Sequence, residues 1–349
     1  MAYQTSSWPL WRKFIQNFKN GESNFHVSTK PLMVTFLHPG LRISSFDNYG
    51  KVDISDLLTL TVDVQNYAFY SELMPGGGTV FSWPTITQGR LLFVQSAEFS
   101  MTRAMQNQML PKWPLQARLC LGRVGTSSVS VCVELLSPET GQLLLSHVKQ
   151  LVTVDKVSRK PVPLPEPFRD KYRHEGVLQK PFSLERFAKP GNTFIYQLKV
   201  AWSDTDWYQH TNYASYARFA TNALHQALVS GATQLPREKS SSESNTRTSF
   251  SSTGRSTGTS SDISGSPSPQ SNELSSSVFQ GISEDVVKNG LKTFRIVYFQ
   301  ECKEGETIDV HLWQQAGEMN VVRCHVNRGD QLLAQMTLEY FPTASDSKL

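Results

Sequence analysis

The stretch WSDTDWYQHTNYASYARFATNALHQALV, residues 202–229, decides the fold. From residue 211 onward its apolar side chains recur every three or four positions, which predicts one buried face of a long helix. That face comprises Tyr213, Tyr216, Ala220, Ala223, Leu224, Ala227 and Leu228. A strand-like run at residues 193–203 precedes the helix. Four alternating runs follow it, at residues 292–302, 307–315, 320–327 and 331–341, and the Arg328-Gly329-Asp330 turn joins the last two as a hairpin.

The first half of the chain repeats this order of elements. A strand is predicted at residues 41–46 and a helix at 53–73, with Ser55 as its N-cap and with Pro75 and three glycines ending it. The alternation of Leu60, Val62 and Val64 leaves a strand open for part of that segment. Four strands are predicted at residues 97–109, 116–122, 127–136 and 142–155. The segment TGQLLLSHVKQLVTV, residues 140–154, echoes RGDQLLAQMTLEYF, residues 328–341.

An apolar helix followed by an antiparallel meander is buried when the sheet curls around the helix. Two such units can join their sheets into one. We therefore predict an α+β protein of two tandem hot-dog folds, each a curled antiparallel sheet around a long helix, joined as a pseudo-dimer.

Five segments follow from this interpretation. They are an N-terminal amphipathic segment (1–30), a degenerate N-terminal hot-dog domain (31–165), an inter-domain connection (166–190), a C-terminal hot-dog domain carrying the site (191–349) and, within it, a disordered Ser-rich insert (231–277). The insert contains almost no aliphatic residue and cannot bury a core. The first segment is aromatic and basic, and could either target an organelle or pack on the protein itself.

The overall composition excludes several classes of protein. The formal net charge is +4 and the basic residues are scattered, so no nucleic-acid partner is expected. No apolar run approaches a membrane span, and no secretory signal pattern is present. The four cysteines, Cys120, Cys132, Cys302 and Cys324, have no C-x-x-C spacing and are expected to be reduced thiols. We expect an intracellular, cytoplasmic protein, with a mitochondrion or another organelle left open.

The candidate chemistry lies directly before the helix at residues 211–229. Asp204, Asp206, His210 and Asn212 follow one another within nine residues. A helix N-terminus presents free backbone N–H groups that can polarise a carbonyl and stabilise an oxyanion. A carboxylate at this point could attack that carbonyl or activate water.

This pattern, D-x-D-x-x-x-H-x-N before a Tyr-rich helix, resembles the signature of hot-dog acyl-thioester hydrolases. It is most similar to that of the tandem hot-dog acyl-acyl-carrier-protein (acyl-ACP) thioesterases, which carry D-x-D-x-N-Q-H-x-N-N and, at the end of the next strand, Y-R-R-E-C. Here the second motif is Tyr298-Phe299-Gln300-Glu301-Cys302. The resemblance covers roughly residues 40–342 without the insert.

The resemblance implies a catalytic set of Asp206 as nucleophilic or substrate-positioning carboxylate, His210 as assisting imidazole, and Glu301 as the group that activates water. It also implies a supporting or substrate-binding set: Asp204, Tyr208, Asn212, Tyr213 and Cys302. Tyr208 stands where the family has Asn, so a phenol replaces the amide at this position. The implied substrate is a fatty acyl thioester of coenzyme A or acyl carrier protein. No metal and no cofactor is implied, and two double hot-dogs could pair as a homodimer.

Simpler structural roles stay open for these residues. Asp204 or Asp206 could cap the helix, His210 could be a structural histidine, and Glu301 could be a solvated charge at a strand end. Cys302 could be buried filler. The alternative function is a non-catalytic acyl-thioester binder or scaffold, and a dehydratase on the same fold is a third hypothesis.

The first half has Phe46-Asp47-Asn48 in place of the D-x-D motif, with no histidine at the matching spacing. We expect it to lack a second site, to complete the shared sheet, and to form a wall of the acyl pocket.

Overall fold

The structure is a computed structural model, and it describes residues 25–71, 78–107, 110, 112–206, 208–231, 278–315 and 317–343. Most of the amphipathic segment at 1–30, nearly all of the insert at 231–277, and the predicted helix end at Pro75 lie outside the described residues.

Across the described ranges the strands form one antiparallel sheet. Its eleven strands are β1 His26–Thr29, β2 Leu32–His38, β3 Arg90–Met101, β4 Leu115–Val124, β5 Ser128–Leu136, β6 Leu143–Asp155, β7 Phe194–Lys199, β8 Leu291–Tyr298, β9 Thr307–Trp313, β10 Val321–Arg328 and β11 Gln331–Tyr340. Their order across the sheet is β1-β2-β4-β5-β6-β3-β8-β11-β10-β9-β7. The strands of the first half therefore fill one side of the sheet and those of the second half the other, and β3 pairs with β8 where they meet.

Six α-helices accompany this sheet within the described ranges: α1 Ile54–Tyr70, α2 Trp83–Thr87, α3 Arg103–Gln106, α4 Glu166–Tyr172, α5 Tyr213–Val229 and α6 Glu284–Lys288. The two long ones, α1 and α5, pack against each other and each against strands of its own half. Helix α5 buries mostly alanines on its inner face, so its backbone can approach the sheet and α1 closely. None of the described helices is both long enough and apolar enough to cross a lipid bilayer.

The predicted α+β class is confirmed. Within the described residues each half has one long helix against an antiparallel sheet, and α1 occupies Ile54–Tyr70 of the segment where a strand had been left open. The predicted hairpin also exists, because β10 and β11 pair with Arg328 opposite Gln331. The five segment boundaries stay predictions, since the sheet runs without a break from one half to the other.

Four local predictions are wrong. The strand predicted at 97–109 lies earlier, at β3, and residues 103–106 form α3. Residues 41–46 hold a short 3-10 turn, Ile43–Ser45, and the strand lies earlier, at β2. Gly40 ends the extended chain: its φ is +96°, and a Cβ there would meet the carbonyl oxygen of Lys112 at 2.0 Å. The cap of α1 is Asp53, whose side chain accepts the N–H groups of Ser55 and Asp56.

The fourth error concerns strand ends near the candidate site. The strand predicted at 193–203 ends at Lys199, and a 3-10 turn follows at Trp202–Asp204. The strand predicted at 292–302 ends at Tyr298. The last residues of both segments leave the sheet and form the two loops that carry the candidate residues.

Candidate active site

Two loops meet at the N-terminus of α5. One leads from β7 into α5, and the other connects β8 to β9. They are joined by backbone hydrogen bonds, from Val200 N–H to the Glu306 carbonyl and from Gly305 N–H to the Val200 carbonyl, both at 2.9 Å. Thr211 adds two more, because its N–H and its hydroxyl both donate to the carbonyl of Cys302, at 2.6 and 3.0 Å. The loop before α5 is thereby held against the residue that follows Glu301.

A tight turn brings Asp206 and His210 together. The Asp206 N–H donates to the His210 carbonyl at 3.0 Å, and an Asp206 carboxylate oxygen accepts the Tyr208 N–H at 2.9 Å. Gln209 adopts a left-handed backbone conformation with φ of +62°, which lets the chain reverse within these few residues. The result places Asp206 Oδ1 at 3.4 Å from His210 Nδ1, with side chains 25% and 17% exposed. The pair is thus partly buried but still accessible from solvent.

Burial dominates the electrostatics of Asp206. It raises the pKa of that carboxyl above its ordinary value, while His210 and the backbone N–H groups of the turn act in the opposite direction. A carboxylate that is poorly solvated holds a proton more tightly than a free one. This is the direction of change that a general base requires.

Glu301 lies on the second loop, directly before Cys302, whose carbonyl accepts the hydrogen bonds of Thr211. Its carboxylate oxygen Oε1 lies 3.6 Å from Arg159 Nη1, and both side chains are about one-third exposed. Among the described residues no hydrogen bond joins Glu301 to Asp206 or His210. Each of the two joined loops thus carries one carboxylate of the predicted catalytic set, Asp206 on the first and Glu301 on the second.

The first half contributes two side chains that sequence reasoning missed. Phe93 of β3 presents its ring edge-on to His210, at 5.2 Å between centroids, and lies 6.3 Å from Tyr208. The guanidinium of Arg159 lies 5.4 Å from the Phe93 ring centroid while it contacts Glu301. Arg159 follows β6 in the stretch at which the chain leaves the first half, so only the pairing of the two halves reveals its role.

Asp204 and Asn212 fasten the loop to the helix. Asp204 is buried, forms an ion pair with Arg218 of α5, and accepts the Ala201 N–H at 2.8 Å. Asn212 is the N-cap of α5, and its side chain accepts the Ala214 N–H at 3.0 Å. These contacts support the capping and loop-closing alternative for Asp204. The role of either residue in binding a substrate stays a prediction.

The remaining predicted residues lie on the same two loops and at the start of α5. Tyr213 begins α5, donates its hydroxyl to the Leu58 carbonyl at 2.7 Å, and accepts the Tyr298 hydroxyl on its own carbonyl at 2.9 Å. Burial raises the pKa of Cys302 to about 11, so the sulfur stays a protonated thiol at neutral pH. Burial and the charge of Asp206 raise the pKa of Tyr208, which keeps the phenol protonated.

The described residues contain no group of three or more His, Cys, Asp or Glu side chains that could hold a metal ion. The matching loop of the first half is closed by Asp47, which accepts the N–H groups of Tyr49 and Lys51. No histidine occupies this loop.

No protein-family model matches the sequence, and no curated protein matches it either. Solved structures do match. A protein described as an oleoyl thioesterase (putative) from Lactobacillus plantarum superposes with a TM-score of 0.59 at 12% identity, covering 91% of this chain and 98% of that chain. A 12:0-ACP thioesterase from Umbellularia californica gives 0.57 at 12% identity, covering 89% and 98%. An acyl-ACP thioesterase from Bacteroides thetaiotaomicron gives 0.57 at 9% identity, covering 90% and 100%. Since the likeness spans both halves, the chain has the tandem hot-dog fold of these thioesterase structures.

Proposed function

We propose that the protein hydrolyses fatty acyl thioesters of coenzyme A or acyl carrier protein to a free fatty acid and the carrier thiol. The observation that carries this proposal is the Asp206–His210 pair directly before α5, on a loop that is hydrogen-bonded to the loop carrying Glu301. The shared fold with thioesterase structures supports it. The fold alone would not be sufficient support for this proposal, because one fold hosts many functions.

The proposed reaction uses the carboxylates that the two joined loops carry, Asp206 and Glu301. Water held near Glu301 attacks the thioester carbonyl carbon and gives its proton to a carboxylate as the carbon–oxygen bond forms. The N-terminal end of α5 stabilises the negative charge on the carbonyl oxygen. The carbon–sulfur bond then breaks, and the thiolate takes up a proton. In a second route, Asp206 itself attacks and water later releases the acyl group.

Arg159 has a positioning part in this scheme. Its guanidinium contacts Glu301 and rests on Phe93, whose ring also touches His210. Truncating Arg159 would therefore leave Glu301 free to rotate away from the water that it activates. Because the ion pair is partly exposed, its contribution to folding is small, on the order of 0–1 kcal/mol.

The alternative function is a non-catalytic acyl-thioester binder. Tyr208 favours it, because a phenol occupies the position where the resembling family carries an amide, and this phenol lies beside His210 with 5.7 Å between ring centroids. Such a protein would retain acyl-CoA and release no thiol.

The deciding experiment measures thiol release from acyl-CoA and acyl-ACP of several chain lengths. Asp206→Asn and Glu301→Gln are expected to lower kcat roughly 10²- to 10⁴-fold, the range typical of a lost general base. Asp330→Asn, on the exposed β10–β11 turn, is the matched control and should behave like wild type. In Asp206→Asn the new amide oxygen can still accept the Tyr208 N–H, so the unfolding temperature should not fall. If the wild type turns over neither acyl-CoA nor acyl-ACP, the proposed hydrolysis is rejected and the non-catalytic binder is the function that is left.

A further inference from the structure

A lysine lies buried inside the first half. Lys149 of β6 is 2% exposed, and its ammonium nitrogen lies 5.1 Å from the centroid of the Tyr213 ring. Within the part of the chain that the structure describes, no carboxylate and no hydrogen-bond acceptor contacts this ammonium. Burial lowers the pKa of Lys149 to about 7. An amine in this position is available to a ligand that can accept its hydrogen bonds.

A histidine accompanies it on the same face of β6. His147 is 1% exposed and stacks on Phe99 with 3.9 Å between ring centroids, and neither of its ring nitrogens has a hydrogen-bond partner among the described residues. Burial, followed by the charge of Lys149, lowers the pKa of His147 well below its ordinary value. The neutral ring therefore offers one further N–H donor.

The second half shows that the fold does not require these polar groups. The echo between residues 140–154 and 328–341 places His147 at the position of Met336 and Lys149 at that of Leu338. The strand register agrees, because β3 and β8 pair about Glu98 and Arg295, which relates the two halves by an approximate two-fold axis. Met336 and Leu338 are buried. Apolar side chains thus fill the same inward positions in the other copy.

The location connects this pair to the candidate active site. Tyr213, whose ring faces Lys149, is the first residue of α5 and follows His210 by three residues. Its hydroxyl reaches the Leu58 carbonyl of α1. Further along α1, Gln65 also has a buried amide nitrogen without a partner among the described residues. Lys149 therefore lies beneath the site, between the sheet and the two long helices.

We propose that Lys149 and His147 form the far end of the acyl pocket and bind a carboxylate carried by the acyl group at a distance from the thioester. The preferred substrate class is then the monothioester of a dicarboxylic acid. This inference rests on the proposed function for the thioester end of the molecule. A carboxylate supplies the acceptor that the ammonium lacks, whereas a plain alkyl chain leaves the ammonium without one.

The test measures binding of coenzyme A thioethers, which cannot be hydrolysed, by titration calorimetry. One series carries straight alkyl chains, and the other carries chains of equal length that end in a carboxylate. Wild type is expected to bind the carboxylate series at least tenfold more tightly at one or more lengths. Lys149→Met, which restores the side-chain type of the second half, should abolish that preference and leave alkyl binding unchanged or tighter. Lys180→Met, at an exposed position, is the control.

Each outcome has one meaning. Equal binding of both series by wild type, or equal weakening of both by Lys149→Met, would overturn the proposal and indicate that ordered water satisfies these donors. Circular dichroism and the unfolding temperature establish that Lys149→Met is folded. Because thioether binding needs no turnover, a wild type that prefers the carboxylate but releases no thiol would refute the proposed hydrolysis and leave this inference standing. A wild type that releases thiol but binds both thioether series equally would support the proposed hydrolysis and refute this inference.

Discussion

The buried amine of Lys149 makes a prediction about stability that needs no substrate. The perturbation is Lys149→Met, which removes the amine and keeps a long flexible side chain in a buried position. In the unfolded chain the amine titrates near 10.5, whereas in the folded protein its pKa is about 7. Between these two pH values the unfolded chain binds a proton that the folded protein does not. The free energy of unfolding of the wild type should therefore rise with pH across that interval.

The size of the effect follows from the two pKa values. Each tenfold change in proton affinity corresponds to about 1.4 kcal/mol, so protonated Lys149 costs the folded state about 4 to 5 kcal/mol below pH 7. At pH 9.5 most of this cost is gone, which amounts to a gain of about 3 kcal/mol from pH 7 to 9.5. The interval stops there because buried tyrosines have raised pKa values, such as about 12 for Tyr70, and they reduce stability as pH rises further.

The assay is urea unfolding of wild type and Lys149→Met at several pH values from 7 to 9.5. Burial keeps His147 neutral across this interval in both proteins, although the charge of Lys149 also lowers its pKa in the wild type. The difference between the two free energies therefore reports mainly the amine. We expect the variant to be more stable by several kcal/mol at pH 7 and its advantage to shrink as pH rises. Two parallel curves would refute the reasoning, because they would mean that the folded protein already provides Lys149 with a partner that keeps it charged.

Two further substitutions distinguish a residue that positions Glu301 from a residue that holds the loop against α5. Arg159→Gln should lower kcat about tenfold and alter the pH profile of kcat with little change in KM, because Glu301 loses the cation at 3.6 Å. Arg118→Gln is the matched control, since it breaks an exposed ion pair of the same length to Glu134. It should change neither kcat nor its pH profile. Asp204→Asn should reduce the free energy of unfolding by about 1–2 kcal/mol, because the ion pair with Arg218 is lost. A kcat for Asp204→Asn as low as that of Asp206→Asn would show that Asp204 has a direct role in the reaction.

Much of the fold could be predicted from local pattern. Strands with one buried face alternate in sequence, and β5, predicted at 127–136, was found at Ser128–Leu136. Strand β2 also alternates, with Leu32, Val34 and Phe36 buried, and was missed because the motif resemblance began near residue 40. The choice between Asp53 and Ser55 as a cap depends on backbone angles that composition does not determine, since both residue types can cap.

The candidate site likewise contains residues that the sequence could predict and residues that it could not. Asp206 and His210 meet through a turn of five residues, so their spacing was enough to predict that they would lie together. Glu301 required a second motif in the right order along the chain. Phe93 and Arg159 lie more than fifty residues from His210 in sequence, and their contact depends on β3 pairing with β8 across the two halves. No periodicity in one segment carries that information.

The comparison of the two halves also constrains what the first half does. A copy that only completed the sheet and excluded water would be most stable with apolar side chains at both inward positions of β6, as β11 has with Met336 and Leu338. Instead, β6 carries an imidazole and an amine there, at a cost in folding free energy that burial makes large. A bound ligand that accepts hydrogen bonds from both would offset that cost, since binding to the folded state alone stabilises it. The polar pair is therefore better explained as groups that bind a ligand than as groups that only fill the interior of the first half.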